Sequence, residues 1–187
     1  MGEPATRQAT YDDLLALPRH VVGELIHGVL HVQPRPASPH ARAASSLGGE
    51  LYGPFDRGRG GPGGWIILHE PELHLRGGHV VVPDLAGWRR ERMPELLEVS
   101  AFELPPDWLC DVISASTAAV DRAEKLPLYA AEGVAHVWLV DPGPHTLEVL
   151  RLDGATYRLL VTHRGDARVR AEPFAAGEID LSALWSR

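Results

Sequence analysis

The sequence predicts an α/β (α+β) fold, a mixed β-sheet flanked by helices, and two observations carry that expectation. Apolar runs of strand length recur at residues 21–32, 65–85, 108–113, 136–140 and 147–161. Helix signals are confined to three longer segments and one short one, and the succession of helix, strands, helix, strand and hairpin lacks the strict alternation of a doubly wound sheet. The chain has 187 residues, 44% of them hydrophobic. That length fits one domain, residues 1–187, with a core large enough to stand without staples.

Each element has its own signature. Thr10-Tyr11-Asp12-Asp13 reads as an N-cap with an acidic residue three on, opening a helix through Leu14, Leu15 and Leu17 before Pro18. Residues 21–32 hold two short apolar runs around Gly28, a hairpin that starts a sheet. Ser38-Pro39-His40 caps a helix running to about Tyr52. Residues 57–64 form a glycine-rich loop, and 65–68, 73–75 and 80–85 are successive strands. The polar stretch 89–106, punctuated by prolines, reads as a loop carrying a short helix. Residues 108–113 make a short apolar strand interrupted by Asp111. A helix over 117–132 stops at Gly133, and a buried strand over 136–140 ends at Asp141-Pro142. Residues 147–152 and 157–161, joined by Asp153-Gly154, form a C-terminal β-hairpin, and the tail adds an edge strand and a terminal turn.

Composition narrows the function. One cysteine, Cys110, excludes an internal disulfide and suits a reducing cytoplasm. No apolar stretch approaches the ~18 residues of a membrane span, and Met1 to Tyr11 lacks the cationic-then-apolar order of a signal peptide. The expectation is a cytoplasmic protein with no membrane partner. A net charge of −7 argues against electrostatic coating of nucleic acid. It leaves room for an enzyme that meets a phosphate backbone through a local arginine surface and a bound metal. Arg35, Arg42, Arg57, Arg59, Arg89, Arg90 and Arg92 are candidates for such contacts.

Several familiar motifs fail on context. Gly58-Arg59-Gly60-Gly61-Pro62-Gly63 has dinucleotide-type glycine spacing, but a helix precedes it and a strand follows, the reverse of what pyrophosphate binding needs. His69-Glu70-Pro71-Glu72-Leu73-His74 is one residue too long for a zincin helix, and Pro71 breaks it. No Gly-x-Ser-x-Gly elbow is present.

Two carboxylates and a lysine remain. Val82-Pro83-Asp84-Leu85 ends a strand with a proline, which puts Asp84 where the strand meets a cleft. Asp111 lies within Trp108-Leu109-Cys110-Asp111-Val112-Ile113, where an unpaired carboxylate would cost several kcal/mol and so needs a cation or donors. Lys125 is the only lysine; every other cationic side chain is arginine. Plainer readings stand beside these. Asp84 could accept backbone hydrogen bonds, Lys125 could pair with Asp121 on a solvated helix face, and a coding bias that also removed asparagine could explain the scarcity of lysine. Side by side, the two acids would present oxygen ligands to Mg²⁺ or Mn²⁺. A nearby lysine would stabilise charge on a phosphorane.

Three stretches together resemble the bacterial putative restriction endonuclease family, formerly a domain of unknown function, within the PD-(D/E)XK nuclease superfamily. They are Gly23-Glu24-Leu25-Ile26-His27-Gly28-Val29-Leu30 with Pro34 and Ser38-Pro39-His40; Val82-Pro83-Asp84-Leu85; and the run from Asp111 through Asp121-Arg122-Ala123-Glu124-Lys125 to Val140-Asp141-Pro142. The resemblance covers about residues 10–185. It implies a restriction-endonuclease-like mixed sheet flanked by helices, and metal ligands at Asp84 and Asp111. It implies that Lys125 reaches back from the following helix. Glu24 matches the family's N-terminal acid, a further ligand, and His40 its histidine at the start of the next helix. Two residues depart from the pattern. Asp111 stands where the family usually has glutamate, and being one methylene shorter it must hold a metal closer to the strand or through water. Ala115 stands in place of a proline.

The function these features imply is Mg²⁺- or Mn²⁺-dependent endonucleolytic hydrolysis of DNA, with Asp84, Asp111, Lys125, Glu24 and His40 in the site. A homodimer is compatible with it, because two strands of a duplex need two sites. The alternative is a catalytically inactive relative kept as a DNA-binding or assembly module. A hydrolase of another phosphoester is a third reading.

Overall fold

The computed structural model describes residues 7–114 and 117–186; Ala115 and most of the N-terminal stretch weighed as a signal sequence lie outside the described residues. Helix α1 (Tyr11–Leu15) opens on the cap its sequence announces. The Thr10 side chain accepts from the Asp13 amide, and the Asp13 carboxylate accepts from the Thr10 amide at 2.8 Å.

The strands follow in chain order: β1 (Val21–Ile26), β2 (Val29–Pro34), β3 (Trp65–His69), β4 (Leu73–Leu75), β5 (His79–Val81), β6 (Leu85–Arg89), β7 (Trp108–Val112), β8 (His136–Asp141), β9 (Thr146–Asp153) and β10 (Thr156–Arg164). β1 and β2 join through His27-Gly28, with φ of 51° and 73°. Two consecutive positive φ values are what a tight two-residue hairpin turn requires, and glycine meets the second without strain. This hairpin belongs to a four-stranded sheet ordered β2-β1-β5-β4. The main sheet has six strands, ordered β10-β9-β8-β7-β6-β3. Its β7–β8 pair is parallel and its other pairs antiparallel, so the sheet is mixed as expected, with the β9–β10 hairpin at one edge.

Four expectations need correction. The single strand over 80–85 is two strands in two sheets. Pro83 has no amide to give a ladder, and the Val82 amide donates instead to Glu24 Oε1 at 2.9 Å, so the chain leaves one sheet after Val81 and enters the other at Leu85. No helix forms between Arg89 and Pro106. Ser38 is the first residue of α2 (Ser38–Leu51) rather than its cap; Ala37 precedes it without a side-chain bond. Among the described residues the tail adds no edge strand to the main sheet. β11 (Arg168–Val169) and β12 (Ile179–Asp180) pair with each other.

The predicted helix over 117–132 is α3 (Ala118–Val120), a π turn (Asp121–Lys125) and α4 (Leu126–Ala131). A second π turn, Tyr52–Asp56, extends α2. Each lies at a proline, Pro127 or Pro54, whose ring would clash with the carbonyl four residues back in an α-helix. Widening the turn relieves that clash. α5 (Ser182–Trp185) ends the described chain.

Strand alternation sends β7 residues to two cores. Trp108, Cys110 and Val112 face the cluster covered by α2, α5 and the tail, while Leu109 shares the opposite cluster with Ile26, Val81, Leu128 and Tyr129. Asp111 has the parity of Leu109, so its carboxylate points toward α4 and the hairpin sheet. In the first core, Phe174 from the tail lies 4.7 Å from Phe55, 4.8 Å from Trp65 and 4.9 Å from Trp108, ring centre to ring centre. Phe174→Ala is therefore expected to cost about 3–5 kcal/mol. Urea denaturation checks this, and a loss under ~1 kcal/mol would show that the tail is no part of the cooperative core.

Candidate active site

The main-sheet register brings the two expected acids together. Leu85 of β6 pairs with Cys110 of β7 in antiparallel register. One step back, Asp84 falls opposite Asp111. Asp84 Oδ2 accepts from the Val112 amide at 2.7 Å, and its Oδ1 lies 2.5 Å from His40 Nε2, on the first turn of α2. Asp111 is buried. Its Oδ1 accepts from Lys125 Nζ at 3.0 Å and its Oδ2 from the Tyr129 hydroxyl at 3.1 Å.

Lys125 is the hub. Its ammonium lies 3.0 Å from Asp111, 3.1 Å from Glu24 and 3.4 Å from Asp121, and all four side chains are buried. Glu24 comes from β1, in the other sheet, and its Oε1 also takes the Val82 amide. The site thus joins both sheets, the start of α2 and the π turn. Glu24, His40, Asp84, Asp111, Asp121 and Lys125 line one cavity of about 350 Å³. All five sequence candidates converge there.

The charges do not balance, because one buried ammonium faces three buried carboxylates. Burial pushes the Asp111 carboxyl well above the ordinary range; Lys125 opposes the shift, and Asp121, Glu24 and Asp84 add to it. Asp121 is raised for the same leading reason. Burial works against the charge on Lys125, but Asp111 and Glu24 outweigh it and hold the ammonium above its usual value. For His40, burial disfavours the charged ring; the Asp84 hydrogen bond and the field of Asp84, Asp111 and Asp121 outweigh it and raise the pKa. Among the described residues, no three His, Cys, Asp or Glu side chains are grouped closely enough to hold an ion among them.

The sequence is matched over residues 9–183 by the Uma2 family, described as putative restriction endonuclease. The chain belongs to this family. Among solved structures, this Uma2 chain is similar to a crystal structure of a putative nuclease belonging to DUF820 from Anabaena variabilis ATCC 29413. The two are 22% identical over 94% of this chain and 97% of that one, with a TM-score of 0.68, a likeness of fold. No curated protein matches the chain. Among the described residues no helix is long and apolar enough to cross a membrane.

Two side chains of this Uma2 chain do more than their sequence context suggests. Asp121 read as half of a solvated pair with Lys125, yet it lines the cavity; the four-residue spacing Asp121, Lys125, Tyr129 was the available signal. Tyr129 carried no role, yet its hydroxyl fixes Asp111. The arginine surface, in contrast, does not form around the acids. Arg89 stands five residues beyond Asp84 along β6, about 17 Å at the ordinary strand rise. Arg90 and Arg92 follow it, and the loop with Arg57 and Arg59 leads into Trp65, the residue paired with Arg89. There Arg90 faces Asp56 at 3.9 Å, Arg92 faces Asp107 at 2.9 Å, and Arg89 covers the Trp65 ring at 4.6 Å. Arg42 donates to Ser186 Oγ at 2.6 Å. Arg35 lines the cavity.

Proposed function

We propose that this protein hydrolyses DNA phosphodiester bonds with Mg²⁺ or Mn²⁺ held by Asp84 and Asp111, assisted by Glu24. The observation that carries the reading is the gathering of three acids from separate elements and the chain's only lysine around one cavity. The donor chemistry fits a hard cation. The cavity presents carboxylate oxygens, its buried acids outnumber its ammonium, and Mg²⁺ commonly binds through one or two carboxylates with water and substrate oxygens completing its shell. That habit reconciles the site with the lack of a three-ligand group among the described residues. Tyr129 and Lys125 already occupy both oxygens of Asp111, so this shorter acid acts through its remaining lone pairs or an intervening water. When bound, such an ion polarises a phosphoryl oxygen and makes a water more acidic.

The chain's own groups do the rest. Lys125, kept charged by its three acids, stabilises the negative charge gathering on the phosphorane and orients the attacking water. His40 fixes Asp84 Oδ1 and, when protonated, adds a second positive group to the cavity wall. Tyr129 sets the direction in which Asp111 offers its oxygens.

Chelation tests the metal requirement. Excess EDTA is expected to abolish cleavage, and Mg²⁺ or Mn²⁺ added back to excess is expected to restore it. Full activity in EDTA would rule the ion out. If neither condition gives cleavage and calorimetry detects no Mn²⁺ binding, the fold serves here as a catalytically silent DNA-binding or assembly module.

A further inference from the structure

We infer that the cavity accepts one unpaired polynucleotide strand at a time rather than an intact double helix, an inference that rests on the nuclease reading above. Depth is the first reason. The side chains of Glu24, Asp111 and Lys125 are only 7%, 4% and 5% exposed, and Asp84 is 15% exposed. A phosphate must descend into a space of about 350 Å³ to reach them. That is the scale of a small-molecule site, roughly 300–1,000 Å³, and it holds a nucleotide unit, not a duplex. The rim is stiff as well. Residues 33–37 form one wall, and Pro34 and Pro36 within it have φ locked by their rings.

Charge is the second reason. Sequence-independent grip on a duplex relies on a track of cations, about 6–10 phosphate contacts for a strongly salt-dependent binder. Arg57, Arg59, Arg89, Arg90 and Arg92 gather around the far end of β6 from the acids. At the cavity, Arg35 supplies one exposed guanidinium, its Nη1 3.7 Å from Glu70. One guanidinium above a deep acid cluster suits a single bent strand, whose backbone can insert one phosphate without first breaking base pairs. Gln33 in the wall is polar, and an unpaired strand has base edges free to meet it. A strand taken singly needs one site, so the duplex argument for a homodimer falls away.

The test compares three fluorescent DNAs of matched sequence: a single strand, a relaxed covalently closed circular duplex with neither ends nor loops, and the same closed duplex with an unpaired bubble. Cleavage in Mn²⁺ is followed for the wild type and for Asp84→Asn, and metal-free binding by anisotropy for the wild type and Arg35→Ala. The expected result is cutting of the single strand and within the bubble, with the closed duplex slower by about tenfold or more. Arg35→Ala is expected to weaken single-strand binding. Asp84-dependent cutting of the closed duplex as fast as the single strand would overturn this inference alone. No cutting of any DNA, or cutting undiminished in Asp84→Asn, would overturn the nuclease reading and this inference with it.

Discussion

Asp84→Ala is expected to abolish cleavage, with a loss of about a thousandfold or more, since it removes several kcal/mol of charge stabilisation at the reacting phosphate. The geometry makes Asp84 difficult to replace. It lies where the chain passes from one sheet to the other, opposite Asp111, and it is the carboxylate that His40 approaches. Alanine also removes the acceptor for the Val112 amide, and an orphaned buried amide costs about 1–3 kcal/mol. Asp84→Asn separates the two effects. Its amide oxygen can still take the Val112 hydrogen bond while the negative charge is gone, so it should melt close to wild type and still fail to cleave. Wild-type rates in either variant would remove Asp84 from the site.

Lys125→Ala is expected to be the most destabilising single change in the cavity. Glu24, Asp111 and Asp121 would be left buried around a missing ammonium. Breaking a buried ion pair from one side costs about 3–5 kcal/mol, because the remaining charge has no compensation. Cleavage should be lost too, but unfolding alone could produce that. Lys125→Met keeps the stem packed and still removes the charge. Its destabilisation should shrink when Glu24→Gln and Asp121→Asn are added, because neutral amides no longer need a counter-charge. Urea denaturation of this series measures the coupling. Strict additivity among the three positions would mean that the acids and the lysine do not act as a unit.

The sequence revealed much of this site because burial and charge conflict openly in it. Asp111 inside Trp108–Val112 demanded a partner, and the lone lysine fourteen residues on supplied it. The hairpin around Gly28, the β9–β10 hairpin and the capped first helix were legible from turn and cap chemistry alone. What stayed hidden depended on tertiary context. Residues 80–85 read as one strand closing on Pro83-Asp84; the proline interrupts the ladder, but nothing local states that Leu85 begins a strand of the other sheet. Asp121 and Lys125 share a helix face whether that face meets solvent or protein, and only its packing in the fold buries the pair. The arginines looked like one phosphate-binding set in a one-dimensional list. The distance of Arg57, Arg59, Arg89, Arg90 and Arg92 from the acids is set by the length and direction of β6, which only the sheet register reveals.

The most direct test of the central claim is Mn²⁺-dependent cleavage of single-stranded DNA and supercoiled plasmid by the wild type, with Asp84→Asn prepared in parallel. The account predicts metal-dependent cleavage by the wild type and none by the variant. Equal cleavage by both, or none by the wild type in the presence of the ion, would contradict it.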